Sequence, residues 1–145
     1  TMTLRSLLHE KLRLGRPGPK PTEGVLAYIG GYLDGEGCFM YGNSPTVAVS
    51  NTFPYTLETL AQLYGGRVVE LPKRDRPERT MYVWRIYGDD AIRLIEDVLE
   101  YLWEKQPQAD LILRIRNTEP GTKRVGMIHQ LKKLKKLDYH EGGTT

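Results

Sequence analysis

Ile29-Gly30-Gly31-Tyr32-Leu33-Asp34-Gly35-Glu36-Gly37 is the stretch that most constrains this chain. Val25, Leu26, Ile29, Tyr32 and Leu33 recur at spacings of three and four, which predicts a helix. Two adjacent glycines lie inside that pattern. Each costs a helix interior about 1 kcal/mol relative to alanine. Small residues are kept on a helix where another backbone comes close. Asp34 and Glu36 follow, separated by a glycine, and Gly37 ends the helix. Two carboxylates therefore stand at a helix C-terminus, where the macrodipole opposes negative charge. A divalent cation with oxygen ligands is the expected offset.

The 145 residues suffice for one domain with a real core. The net charge of +3 permits a nucleic-acid partner without demanding one. Cys38 is the only cysteine, which excludes an intramolecular disulfide and a cysteine zinc cluster. His9, His129 and His140 have no ligand spacing. No apolar run approaches a membrane span, and no secretion signal is visible. The expected setting is intracellular, in cytoplasm, nucleoid or organelle, with no membrane partner.

In chain order, residues 1–23 form an N-terminal extension. Its Leu14–Pro21 stretch carries too many prolines for a helix or a central strand. It contains Gly15-Arg16-Pro17, similar to an AT-hook core, but a solvated linker is the favoured reading. Thr22 is the expected N-cap of the glycine-bearing helix. Strands are expected over 38–43 and Thr46–Asn51, then a helix over Thr56–Tyr64 stopped by Gly65-Gly66. A third strand, Arg67–Leu71, and a fourth, Met81–Tyr87, flank a charged loop, Pro72–Thr80. Helices are expected from about 90 to 102, over Asp110–Arg116, and over Val125–Leu137, the last with Lys132, Lys133, Lys135 and Lys136 on its polar side. The order helix–hairpin–helix–hairpin–helix predicts an α+β fold, αββαββα, with a four-stranded antiparallel sheet and helices on one face. The expected division is an arm (1–23), a core domain (24–117) and a basic C-terminal helix and tail (118–145).

Ile29–Gly37 resembles the motif of the LAGLIDADG homing endonucleases: Gly31, Asp34 and Gly37 are identical to it, and Leu33 and Glu36 are conservative replacements. Val49-Ser50-Asn51-Thr52 with the following leucine-rich helix is similar to that family's second strand and helix. Tyr101–Ala109, with Lys105 before Gln106-Pro107-Gln108-Ala109, is similar to its stretch bearing an active-site lysine. The resemblance covers about residues 25–117. It implies the LAGLIDADG homing endonuclease fold with a DNA-binding sheet. It also implies a site-specific endonuclease that binds a long pseudo-palindromic double-stranded DNA site as a homodimer. Such an enzyme hydrolyses both strands with divalent metal and leaves 3′ overhangs. The implied cofactor is Mg2+, with Mn2+ or Ca2+ substituting for binding. The alternative is a non-cleaving relative, a group I intron RNA maturase (with intron RNA as partner) or a transcription regulator.

Glu36 is the expected metal ligand, because magnesium needs only one or two carboxylates besides phosphates and water. By resemblance the Gly35 carbonyl joins it, Asn51 positions water, and Lys105 stabilises phosphate charge or polarises the attacking water. The family's further basic residue past Asn51 is replaced by Phe53-Pro54-Tyr55. A single motif implies a dimer packed through Gly30 and Gly31, with Asp34 bracing the paired helices. Trp84 and Tyr82 are expected in the core. The open sheet face is then expected to present Cys38, Met40, Gly42, Thr46, Ala48, Ser50, Arg67, Val83 and Arg85 to base edges, since a β-ribbon fits the major groove. Lys73, Arg74, Arg76, Arg79, Lys132 and Lys133 suit backbone phosphates.

Overall fold

The computed structural model describes residues 20–72 and 79–143, with side chains as far as Lys136. The arm through residue 19, and Lys73, Arg74 and Arg76, lie outside the described residues.

Helix α1 spans Glu23–Glu36. Thr22 caps it as expected, its Oγ1 accepting the Val25 N–H at 3.4 Å. Val25, Leu26, Ile29, Gly30 and Leu33 form its buried stripe. Gly37 leaves the helix in an extended conformation and opens strand β1, Gly37–Tyr41. Strand β2 is Pro45–Asn51, and helix α2, Pro54–Tyr64, begins two residues earlier than the sequence pattern suggests. Pro54 accounts for this: the first helical position needs no N–H, and proline's φ suits it. Strands β3, Arg67–Glu70, and β4, Tyr82–Tyr87, complete the sheet.

All pairings are antiparallel, in the spatial order β1-β2-β4-β3. Register places Cys38 opposite Ala48, Ala48 opposite Arg85, and Arg85 opposite Arg67. One face of the sheet carries Phe39, Val47, Val49, Trp84 and Ile86, all buried, against α1, α2 and α3. Trp84 fills the centre of this core, and its indole N–H donates to the Gly65 carbonyl at 2.8 Å. Gly66 (φ 82°) turns the chain there so tightly that a Cβ would lie 2.5 Å from the Arg85 carbonyl oxygen.

Helix α3, Gly88–Val98, ends in a 3-10 turn, Leu99–Tyr101, where the sequence pattern suggested one continuous helix. Helix α4, Gln106–Arg116, starts earlier than expected, with Pro107 in its first turn. Helix α5, Thr122–Gly143, is longer than expected and packs on α4 and β1. Leu131 is its buried anchor. Among the described residues no helix is long and apolar enough to cross a membrane.

Candidate functional site

Asp34 sits in the last turn of α1 and engages the loop that leads into α4. Its Oδ2 accepts the N–H groups of Trp103 (3.1 Å) and Glu104 (3.0 Å), and its Oδ1 accepts that of Lys105 (2.9 Å). These donors precede and begin a helix N-terminus, where a carboxylate is favoured. The charge at the end of α1 is therefore offset inside the chain. Its oxygens are held by its own backbone some seventy residues away, an internal role beside the brace between copies that the sequence suggested. The carboxylate was legible as structural, but its partners are main-chain groups, which carry no sequence signature.

That clamp orients Lys105. Its ammonium donates to the Gly37 carbonyl at 2.7 Å and to the Leu33 carbonyl at 3.5 Å. A cation thus lies against the C-terminal turn of α1, on carbonyls that flank Glu36 on both sides. Glu36 itself is exposed, and no hydrogen bond or ion pair engages it among the described residues. The last carbonyls of a helix lack partners within it, so the Gly35 carbonyl is an oxygen donor beside the Glu36 carboxylate. One carboxylate, one carbonyl and surrounding water fit a hard cation such as Mg2+. No cluster of three or more His, Cys, Asp or Glu side chains occurs among the described residues.

Asn51 ends β2 beneath the same turn. Its Nδ2 donates to the Tyr32 hydroxyl at 3.2 Å, and its Oδ1 accepts the Phe53 N–H at 3.1 Å. Burial raises the Tyr32 phenol above its ordinary 10.0; the Asn51 bond lowers it, and the Glu36 and Tyr28 charges raise it further. Tyr32 therefore stays neutral at physiological pH. Sequence reasoning missed its bond to Asn51, because tyrosine on a helix at apolar spacing reads as core.

The two glycines of α1 have different surroundings. A Cβ on Gly30 would lie 2.6 Å from the Cβ of Tyr101, so its close neighbour is the chain's own 3-10 turn. The sequence suggested a contact between copies there; within the chain, the close approach is to Tyr101. Gly31 has nothing within 4 Å, and neither have Gly24 and Gly35. With Tyr28, 44% exposed, these three recur at helical spacing along one bare face of α1. Trp103, 86% exposed, stands at the end of that helix, its N–H on Asp34.

The second sheet face is less uniform than expected. Ser50, Arg67 and Arg85 are exposed, and Val83 and Met40 are half-buried. Gly42 and Arg79 are exposed as well. Thr46 and Ala48 are 9% and 6% exposed, which corrects their assignment as base-reading groups; the Thr46 hydroxyl donates to the Ser44 carbonyl at 3.3 Å. At the β1 edge Lys135 of α5 reaches Cys38 Sγ at 3.3 Å, and Arg124 donates to the Tyr41 hydroxyl at 2.6 Å. Lys135 thus turns inward, while Lys132, Lys133 and Lys136 remain exposed. Tyr87 and Val69, 55% and 54% exposed, join the open face unannounced. Strand alternation from Arg85 was the available signal. The β4–β3 half forms a concavity of about 830 Å³ lined by Ser50, Arg67, Val69, Val83, Arg85 and Tyr87 among others.

Three solved structures share this architecture. The chain is similar to the homing endonuclease I-CvuI in complex with its target in the presence of Ca2+, at 23% identity, 75% of this chain, 80% of that one and a TM-score of 0.61. The fold is that of the LAGLIDADG homing endonucleases. An I-CvuI complex with the I-CreI target and Mg2+, its DNA not cleaved, matches at 20% identity over 78% of each chain, TM-score 0.53. The archaeal intron-encoded homing endonuclease I-Vdi141I complexed with DNA matches at 18% identity over 75% of this chain and 82% of that one, TM-score 0.60. No protein-family pattern matches the chain, and neither does any curated protein. In this LAGLIDADG homing endonuclease fold the motif helix is α1, with Asp34 and Glu36 in its last turn and Lys105 held there by the Asp34 clamp.

Proposed function

We propose that the protein is a DNA endonuclease that binds double-stranded DNA on the open face of its sheet and cuts it at the C-terminal end of α1. The observation that carries this reading is the unengaged Glu36 carboxylate beside a Lys105 ammonium that the Asp34 clamp holds in place. The solved structures of like fold, held with DNA, Ca2+ or Mg2+, support it. Glu36 and the Gly35 carbonyl would hold a divalent cation, Mg2+ by preference with Mn2+ or Ca2+ as substitutes for binding. When bound, such a cation supplies an activated water and relief of phosphate charge. Lys105 places its positive charge toward the phosphate, and Asn51 orients water for in-line attack.

One acid per chain serves one strand. Both strands are cut if two copies pair α1 to α1 through the bare face of Gly24, Tyr28, Gly31 and Gly35. A homodimer of this kind reads a pseudo-palindromic site, because its symmetry is imposed on the DNA. Paired cuts beside the axis leave 3′ overhangs by analogy with the family. Ser50, Arg67, Val83 and Arg85, with Tyr87 and Val69, face base edges. Arg79, Lys132 and Lys133 suit phosphates.

Selection of cleaved duplexes from a randomised library in Mg2+ tests the activity and yields the site. On that site Glu36→Gln is expected to lower cleavage to background while binding in Ca2+ and thermal stability stay at wild-type values. Cleavage by Glu36→Gln at the wild-type rate would remove the metal assignment.

A further inference from the structure

Asn51 closes β2, and its amide is held at both ends. The local bond from the Phe53 N–H fixes the oxygen end at 3.1 Å. The other bond, from Nδ2 to the Tyr32 hydroxyl oxygen at 3.2 Å, spans 19 positions of sequence and ties the end of β2 to α1. Tyr32 lies four residues before Glu36 on that helix, and side chains at this spacing share a face. The Tyr32 hydroxyl therefore links the amide to the turn that carries the acid. The Tyr32 ring is itself stacked on Tyr28, with centroids 6.3 Å apart and planes at 12°. A phenol oxygen that accepts from Asn51 keeps its own hydrogen to donate to water or to a phosphate oxygen.

We propose that Tyr32 is a positioning residue for phosphodiester cleavage, its hydroxyl holding the Asn51 amide in a fixed relation to Glu36 so that the attacking water meets one orientation of Asn51. This rests on the endonuclease reading above. A purely structural Tyr–Asn bond would alter stability and leave the chemical step alone. Misplacement of a reacting group by about 1 Å can cost a hundredfold in rate, so the two roles separate in kinetics.

The test uses the full chain and the duplex recovered by cleavage selection. Tyr32→Phe removes the hydroxyl and keeps the ring. Its single-turnover rate at saturating protein in Mg2+ is expected to fall about ten- to a hundredfold, with binding in Ca2+ essentially unchanged. Asn51→Ala is expected to lose at least as much. Adding Tyr32→Phe to Asn51→Ala is expected to cost nothing further, because the two act as one unit. Without any DNA, the side-chain amide NMR signals of Asn51 are expected to move in Tyr32→Phe. A wild-type cleavage rate in Tyr32→Phe, losses that multiply in the double variant, or unmoved Asn51 signals would each overturn the role alone. Failure of the wild-type protein to cut any library duplex, with the Asn51 signals still moving, would overturn the endonuclease reading and the catalytic role together.

Discussion

Asp34 accepts three backbone N–H groups of its own chain, whereas Arg67 and Arg85, directly opposite each other on β3 and β4, have no ion pair among the described residues. At the end of α1, Asp34 and Lys105 are thus fixed within the chain, while Glu36 stays open. Its structural acid is saturated, and the lysine beside it is pinned at 2.7 Å to a carbonyl. The β4–β3 half is the reverse. Like charges set opposite each other on neighbouring strands oppose folding, and here they line an open concavity with Tyr87 and Val69. On the proposed reading, the difference separates two tasks. Chemistry gains from groups already fixed, since no reorganisation is then needed at the moment of reaction. Recognition gains from groups left unpaired, since their partners come from outside.

The sharpest way to break this contrast is at Lys105. Lys105→Met keeps much of the stem and removes the charge. Single-turnover cleavage is expected to fall about 10²–10³-fold, with binding in Ca2+ changed far less. A parallel loss of binding would move Lys105 from the reacting centre to simple phosphate attraction.

Asp34→Ala tests whether the clamp is internal. It strips three backbone donors of their acceptor, and a cost of about 1–3 kcal/mol in urea unfolding is expected. Cleavage is expected to fall with it, because Lys105 loses its anchor. Unchanged stability of the isolated chain, combined with weaker self-association, would instead favour the brace between copies.

Arg85→Ala addresses the open face and carries the effect most confined to recognition. It is expected to weaken site binding by about 1–3 kcal/mol and to relax base preference at one position. Stability is expected to hold or rise slightly as a like-charge pair is relieved. Loss of affinity spread evenly over all sequences would mark Arg85 as a phosphate contact. Arg67→Ala, on the neighbouring strand, provides the matched comparison.

The helix order, the four strands, the hydrophobic stripe of α1 and the two acids at its end could all be read from the chain alone. Each follows from local periodicity, turn residues and the spacing of Ile29–Gly37. Tertiary structure decided the rest, because it depends on what is distant in sequence. Gly30 is small because Tyr101 comes within 2.6 Å of where its Cβ would be. Thr46 and Ala48 alternate toward the open face yet are buried there, which a period of two along one strand cannot reveal. Tyr32, with apolar spacing and a polar tip, gained its significance from a bond to Asn51 across the fold. Asp34 and Glu36, two residues apart and chemically alike, were divided by backbone direction: one carboxylate meets the start of α4, and the other remains open to a ligand.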